Sequence, residues 1–161
     1  METNHTKQRL HYKRAAPGVY AAMDALDQYL SDCGLEESLL HLIRLRASQI
    51  NGCAYCVDMH WKDLRALGET EQRLSCLDVW RESPFYSARE RAALAWTESV
   101  TRVSVDRVSD SLFSDMREHF TEKELCDLTL AVAAINSWNR LSIAARLTPG
   151  TYHPVVAGAV P

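Results

Sequence analysis

Residues 49–60 of the chain read QINGCAYCVDMH. Two cysteines, Cys53 and Cys56, stand three residues apart, and His60 follows the second of them by four residues. At about 100° per residue, these three side chains fall within an arc of roughly 60° on one face of a helix. The Asn-Gly dipeptide before them predicts a break, so the pair is expected in the first turn of that helix. The stretch therefore predicts a thiol pair that can close into a disulfide beside a group able to exchange protons near neutral pH.

The start of a helix changes the chemistry of a cysteine. Its free backbone N–H groups and the positive end of the helix dipole stabilise a thiolate, so Cys53 and Cys56 are expected to titrate below the ordinary thiol value. His60 lies one turn beyond Cys56 and can accept or return its proton. In a reducing compartment such a pair is more typical of a redox or metal site than of a structural disulfide.

Two other interpretations of these residues stay open. The cysteines can be buried structural residues, with His60 as a core histidine. They can also bind zinc, but a structural zinc site takes four ligands, usually from two separated pairs. The stretch offers three ligands, with His41 as a distant candidate for the fourth, and the chain has no second Cys-x-x-Cys. We therefore expect no metal and no cofactor.

Outward from this stretch, apolar residues recur at helical spacing over most of the chain. Capping-box sequences begin at Ser87 and Thr121, and no long alternation of apolar and polar residues predicts a strand. We expect an all-α, single-domain helical bundle of about six to seven helices over residues 1–161. Its core spans about 17–150, between a polar N-terminal segment and a loosely ordered tail from Pro154. The predicted helices cover about 18–32, 36–50, 53–67, 70–80, 87–103, 108–119 and 121–147.

The composition excludes several classes of function. With 161 residues, 47% apolar and 24% charged, the chain resembles a soluble globular domain with a sizeable core. Its formal net charge of −3 provides no basic surface, so nucleic acid is not an expected partner. No segment has the apolar length of a signal peptide or of a membrane span. We expect no membrane association and a cytoplasmic location.

The cysteine count is five, an odd number that argues against a secreted disulfide framework. Three cysteines, Cys33, Cys76 and Cys126, stand apart from the pair, with no second cysteine or basic residues arranged to activate them. We expect these three to be small buried apolar residues.

The run LRASQINGCAYC at residues 45–56, followed by His60, closely resembles the core of the alkylhydroperoxidase-D-like (AhpD-like), carboxymuconolactone decarboxylase superfamily. The segments ERAALAWTE at residues 90–98 and INSWNR at residues 135–140 are similar to the same family, and the likeness covers roughly residues 17–150. The Cys-x-x-Cys-x-x-x-His element is specific to the peroxidase-like branch. The decarboxylase branch lacks the cysteine pair, so decarboxylation is not expected.

The resemblance implies an all-helical homo-oligomer, a trimer or hexamer, that reduces (alkyl) hydroperoxides without haem or metal. It implies that Cys56 attacks the peroxide, that Cys53 resolves the resulting sulfenic acid, and that His60 transfers the proton. An external dithiol, thioredoxin-like or lipoyl, restores the thiol pair. The local chemistry agrees with this order, since the attacking thiol needs a proton partner and a resolving thiol within reach.

The chain departs from the family pattern at His41. The family's proton relay has a glutamate twelve residues before the first cysteine, and this sequence has His41 there. Glu36 and Glu37 are out of register by at least one turn. A histidine can pass protons to His60 through a water, but it cannot supply the negative charge that makes His60 more basic. His41 is therefore a candidate relay residue, and a polar filler is the alternative.

The sequence thus predicts a thiol-dependent, peroxidase-like oxidoreductase that works by a Cys53/Cys56 dithiol–disulfide cycle. The alternative is a dithiol redox sensor, or an oligomeric binding module, without efficient peroxidase turnover. The change at His41 favours that alternative.

Overall fold

The computed structural model describes residues 7–154, which form eight α-helices and one 3-10 helix and contain no β-strand. This confirms the predicted all-α, single-domain bundle. The tail predicted to be loose falls almost entirely on residues 155–161, which lie outside the described part, as do residues 1–6. No helix within residues 7–154 combines the length and hydrophobicity that a bilayer crossing requires.

The helices are α1 (Tyr12–Ala15), α2 (Pro17–Ser31), α3 (Glu37–Asn51), α4 (Ala54–Ala66), α5 (Glu71–Ser75), the 3-10 helix (Leu77–Val79), α6 (Ala88–Thr101), α7 (Asp110–His119) and α8 (Glu122–Ala145).

Two segments differ from the predicted helices. α1 is a single turn of four residues, none of them buried, so no apolar periodicity marks it in the sequence. The helix predicted over residues 70–80 divides into α5 and the 3-10 helix. The backbone N–H of Cys76 contacts the carbonyls of both Gln72 and Arg73, the geometry of a helix that tightens at its end.

α3 is the central element, and its side chains are buried on more than one side, as its sequence predicts. On one side Leu40 and Ile43 pack against apolar residues of α6, α7 and α8. On another side Leu42 and Leu45 pack against α4, the 3-10 helix and α6. Because α3 is held on both sides, the His41 side chain has a fixed position beside α4.

A buried ion pair holds α3 to α6. Arg46 Nη2 lies 2.8 Å from Glu98 Oε1, and both side chains are almost fully buried. The Trp80 indole N–H and the Arg81 guanidinium also donate to the Glu98 carboxylate, at 2.9 and 2.5 Å. Burial opposes ionisation of Glu98, but these donors outweigh it and hold the pKa of that carboxyl below its ordinary value.

The prediction for the three lone cysteines is wrong. Cys33 and Cys76 are partly exposed, and Cys126 is exposed. On α8 the buried residues Leu125 and Leu128 face the core. Cys126 is rotated by about 100° from Leu125 around the helix axis, and its side chain therefore reaches solvent.

Candidate active site

The turn between α3 and α4 presents the cysteine pair. α3 ends at Asn51, and Gly52 follows in the left-handed region with φ 69° and ψ 32°, a conformation that favours glycine. The backbone N–H of Cys53 then donates to the carbonyl of Ser48 at 3.0 Å. Cys53 is the N-cap of α4, and its Sγ accepts the backbone N–H of Cys56 at 3.3 Å. The break and the helix start predicted from the sequence are both present.

Cys53 and Cys56 form a disulfide, with their Cα atoms 5.4 Å apart, and both residues are only 1% exposed. They line different cavities. Cys56 lines a cavity of about 340 Å³, here called the histidine cavity, whose wall also includes His41, His60, Asp63, Trp138 and Tyr152. Cys53 lines a second cavity of about 390 Å³, here called the Cys53 cavity, whose wall also includes Gly52, Tyr55, Arg146 and Pro149.

The shared helical face predicted for the three residues therefore applies to Cys56 and His60 but not to Cys53. The reason lies in the backbone of Cys53, which is extended, with φ −85° and ψ 93°. A helical-wheel angle has no meaning for a residue outside the helix, so the Cys53 side chain lines a different wall.

An amide network braces the turn from behind. The Asn51 side chain donates to Asn139 Oδ1 at 2.8 Å and to Asn136 Oδ1 at 3.0 Å. Asn139 is fully buried, and its own amide donates to the Ser48 hydroxyl at 3.0 Å. These bonds tie the end of α3 to α8, and buried polar groups satisfied in this way fix one arrangement of the chain. The position of the cysteine pair therefore depends on α8 as well as on α3.

Three side chains from α3 and α4 meet at the back of the histidine cavity. The Nδ1 atoms of His41 and His60 lie 3.2 Å apart. Asp63 Oδ2 lies 3.4 Å from His41 Nδ1 and 3.5 Å from His60 Nδ1. His41 is not distant from His60, as its place among possible zinc ligands suggested: the tight α3–α4 turn brings the two imidazoles into direct contact, and no bridging water is needed between them.

Asp63 supplies a carboxylate beside His60. Because His41 replaces the family's glutamate, the sequence predicted that this negative charge would be missing. The family's glutamate precedes the cysteines. The signal lies after them, because Asp63 stands three residues beyond His60 and so shares its helix face. The second oxygen of Asp63, Oδ1, accepts the Tyr152 hydroxyl at 2.6 Å. Tyr152 lies 89 residues along the chain from Asp63, and no local pattern links the two.

The segment after α8 covers this cluster. Residues 147–154, here called the C-terminal strap, cross the surface of α4 and are held there by three polar contacts. The backbone N–H of Gly150 donates to Asp58 Oδ2 at 2.9 Å. Lys62 Nζ donates to the carbonyl of Tyr152 at 3.1 Å, and the Tyr152 hydroxyl donates to Asp63. The strap thereby closes one side of the histidine cavity.

The electrostatics of the cluster favour neutral imidazoles and an ionised carboxylate. Burial, followed by the neighbouring His60, lowers the pKa of His41 to about 4, and Asp63 opposes part of that shift. Burial also lowers the pKa of His60. Burial opposes ionisation of Asp63, but its contacts with His60 and Tyr152 outweigh that effect and lower the pKa of its carboxyl.

Within residues 7–154, the Nε2 atom of His60 has no hydrogen-bond partner although it is buried. A buried polar atom without a partner is costly and calls for an explanation in terms of function or a missing ligand. His60 Nδ1 contacts His41 and Asp63, so Nε2 is the nitrogen left to exchange a proton with a group in the cavity. Cys56 lines that same cavity.

The opposite wall of the histidine cavity comes from α2 and α8. The Trp138 indole N–H donates to Asp27 Oδ2 at 2.8 Å, and Arg44 Nη2 lies 3.4 Å from Asp27 Oδ1. Tyr20 packs edge-on against Trp138, with ring centroids 5.6 Å apart. The remaining wall is largely apolar, so the cavity offers a few polar groups close to Cys56 within an otherwise hydrophobic space.

The fold and the site define an all-helical protein of the dithiol type, with Cys-x-x-Cys-x-x-x-His at the entry of a helix. The chain belongs to the carboxymuconolactone decarboxylase family, whose model matches residues 17–99, and within it to the AhpD-like proteins that carry this motif. The uncharacterised protein YdfG of Bacillus subtilis is 44% identical over 137 residues, which cover 85% of this chain and 93% of that protein.

Two solved structures are similar along most of the chain. A protein of unknown function from Agrobacterium tumefaciens, suggested to be the antioxidant defence protein AhpD, has 44% identity and a TM-score of 0.85. The match covers 92% of this chain and 99% of that one. An uncharacterised peroxidase-related protein from Ralstonia eutropha, described as an alkylhydroperoxidase AhpD core, has 26% identity and a TM-score of 0.75. That match covers 84% of this chain and 73% of the other.

Proposed function

We propose that the protein is a thiol-dependent, peroxidase-like oxidoreductase that reduces alkyl hydroperoxides through a Cys53/Cys56 dithiol–disulfide cycle. The observation that carries this proposal is the shared cavity of Cys56 and His60, in which the buried Nε2 of His60 has no partner within the described residues. The disulfide between Cys53 and Cys56 supports it, because the product of one oxidation is compatible with the fold.

The first step oxidises Cys56. His60 Nε2 takes the proton of the Cys56 thiol, and the thiolate attacks the outer oxygen of the hydroperoxide. The O–O bond breaks, the alkoxide leaves as an alcohol with the proton returned by His60, and Cys56 becomes a sulfenic acid. Asp63 lies close enough to stabilise His60 while it carries the extra proton, since an opposite charge at this distance favours the imidazolium.

The second step closes the disulfide, and the third restores the thiols. The Cys53 thiol attacks the sulfur of the Cys56 sulfenic acid and releases water. An external dithiol, lipoyl or thioredoxin-like, then donates two electrons and two protons by thiol–disulfide exchange and is itself oxidised to a disulfide. We propose a homo-oligomer, a trimer or hexamer, as the working form, with no nucleic-acid or membrane partner and a cytoplasmic location.

Steady-state turnover tests this function. Purified protein is given cumene or tert-butyl hydroperoxide with dihydrolipoamide as the dithiol, and loss of peroxide is followed. Cys56→Ser is expected to abolish turnover, and Cys126→Ser, which changes an exposed cysteine outside the site, is the matched control. A pair that oxidises once with peroxide but does not turn over with any dithiol would contradict the peroxidase and favour the redox sensor.

A further inference from the structure

Three donor atoms converge at the back of the histidine cavity with the spacing of metal ligands. Nδ1 of His41, Nδ1 of His60 and Oδ2 of Asp63 are 3.2, 3.4 and 3.5 Å apart in pairs. Tetrahedral zinc binds nitrogen and oxygen at roughly 2.0–2.1 Å, which places its ligand atoms about 3.3 Å from one another. An ion in octahedral coordination at similar bond lengths needs its adjacent ligands roughly 3.0 Å apart, a poorer match.

We propose that His41, His60 and Asp63 form a three-ligand binding site for a divalent transition metal, with zinc as the ion that fits best. Two imidazoles and one carboxylate are a ligand set suited to such ions, and three protein ligands leave the fourth position open. All three residues line the histidine cavity, so a water or a small ligand can occupy that position.

The surroundings of the three ligands resemble the support that metal sites receive. The Tyr152 hydroxyl holds Oδ1 of Asp63 at 2.6 Å and so directs Oδ2 toward the histidines. Hydrogen bonds of this kind to ligating carboxylates are typical of metal sites. His41 Nε2 lies 3.9 Å from Glu37 Oε1, too far for a hydrogen bond, so Glu37 adds only a nearby negative charge.

The charge balance sets a limit on affinity. Arg44 adds a positive charge near the cluster, but it lies 3.4 Å from Asp27, which offsets part of that charge. The ligand side chains are 15%, 5% and 10% exposed for His41, His60 and Asp63, so their attraction for a cation is little screened by water. Because Arg44 opposes a second positive charge here, we expect binding weaker than that of the tightest structural zinc sites.

This site differs from a zinc site built on the cysteine pair. Its ligands contain no sulfur, so it persists when Cys53 and Cys56 are oxidised to the disulfide. If the proposed peroxidase mechanism holds, bound metal takes up the Nδ1 atoms through which His41, His60 and Asp63 share a proton. Metal binding and proton transfer then exclude each other, and zinc acts as a reversible inhibitor of peroxide reduction.

Metal titration tests the site without reference to activity. The double variant Cys53→Ser/Cys56→Ser removes both thiols, and zinc is titrated into it by calorimetry. Cobalt, which absorbs strongly in the visible region when four-coordinate, is titrated in parallel. We expect one ion per chain and a four-coordinate cobalt spectrum. His41→Ala and Asp63→Asn in the same background should each weaken binding by about tenfold or more.

A matched control comes from a second cluster of potential ligands. Asp115, Glu118 and His119 also lie close together but are far more exposed, and His119→Ala in the thiol-free background should leave binding unchanged. Circular dichroism checks that each variant is folded. If His41→Ala is unfolded, Asp63→Asn and the cobalt spectrum decide the question.

Three results would overturn the proposal: no saturable zinc binding, binding unaffected by Asp63→Asn, or a weak six-coordinate cobalt spectrum. These outcomes are independent of the peroxidase assay, because a protein without turnover can still bind the ion. Conversely, turnover that zinc does not inhibit, in a protein that binds zinc at this site, would contradict the proton-transfer mechanism and leave the metal site intact.

Discussion

The Nδ1 atoms of His41 and His60 lie 3.2 Å apart, although 19 residues separate them along the chain. In a hydrogen bond between the two neutral rings, one Nδ1 donates its proton and the other accepts it. The proton on one ring therefore determines which nitrogen of the other is free. Because Asp63 contacts both Nδ1 atoms, the three side chains hold their protons as a unit rather than independently.

His41→Ala is expected to slow oxidation of the Cys56 thiol by a hydroperoxide by on the order of tenfold, since general acid–base groups contribute about 10²–10⁴-fold and His41 acts through His60. The fold should remain, because His41 lies outside the apolar clusters of the core. Stopped-flow fluorescence of the tryptophans gives the rate. A rate within a factor of about two of the unmodified protein would show that position 41 is a bystander.

Asp63→Asn is expected to reduce the same rate by about 10–100-fold, because the proton acceptor His60 loses the negative charge that stabilises its imidazolium form. The pH at which the rate is half-maximal should also move to a lower value, because removal of the carboxylate lowers the pKa of His60. The measurement is the oxidation rate of Cys56 across pH. Asp115→Asn, an exposed position on α7, is the control and should behave as the unmodified protein.

Tyr152→Phe removes one hydrogen bond, from the Tyr152 hydroxyl to Asp63 Oδ1. We expect the free energy of unfolding to fall by about 1 kcal/mol, the typical net value of such a bond. The pKa of Asp63 should rise, since one of the contacts that lower it is lost. Urea unfolding measures the first effect, and NMR titration of the carboxyl measures the second. Unchanged values of both would mean that the C-terminal strap does not act on the site.

The stability of the metal-free protein should depend on pH through His41, and through His60 in the same direction, because burial lowers the pKa of both rings. The folded-state pKa of His41, about 4, lies below the ordinary value of 6.5, because burial disfavours the charged ring. Between these two values the unfolded chain binds a proton at His41 that the folded chain does not. The contribution of His41 to the free energy of unfolding is therefore fully present above pH 6.5 and is lost as the pH falls toward 4. Urea unfolding in EDTA at several pH values measures this. His41→Gln should make the free energy of unfolding depend less steeply on pH. An equally steep curve for this variant would contradict the lowered pKa of His41.

Cys53→Ser is expected to stop the cycle at the sulfenic acid of Cys56, because no thiol is then in place to condense with it. Mass spectrometry after one equivalent of peroxide and a sulfenic-acid trap such as dimedone should find the adduct on Cys56. In the unmodified protein the same treatment should remove two hydrogens from the Cys53/Cys56 pair. Oxidation of Cys33, Cys76 or Cys126 before the pair would refute the assignment of the site.

Local sequence predicts those features that depend on neighbours within a few turns. The turn at Gly52, the start of α4 and the burial of α3 on several sides all follow from residue spacing and are present. Residue spacing could not predict the contact of His41 with His60, because that contact depends on how closely α3 and α4 pack. Tyr152 was missed for the same reason, since its partner Asp63 lies on a different element.

In the proposed cycle the two cavities would also separate the two half-reactions, because Cys56 lines one cavity and Cys53 lines the other. By this proposal an oxidant would reach Cys56 through the histidine cavity. A reductant that approached through the Cys53 cavity would attack the sulfur of Cys53 and release Cys56 as the leaving thiolate beside His60. A small apolar molecule lodged against Trp138 should then block oxidation and leave the rate of reduction unchanged. Inhibitors of this protein can therefore be sorted by which half-reaction they slow in single-turnover experiments.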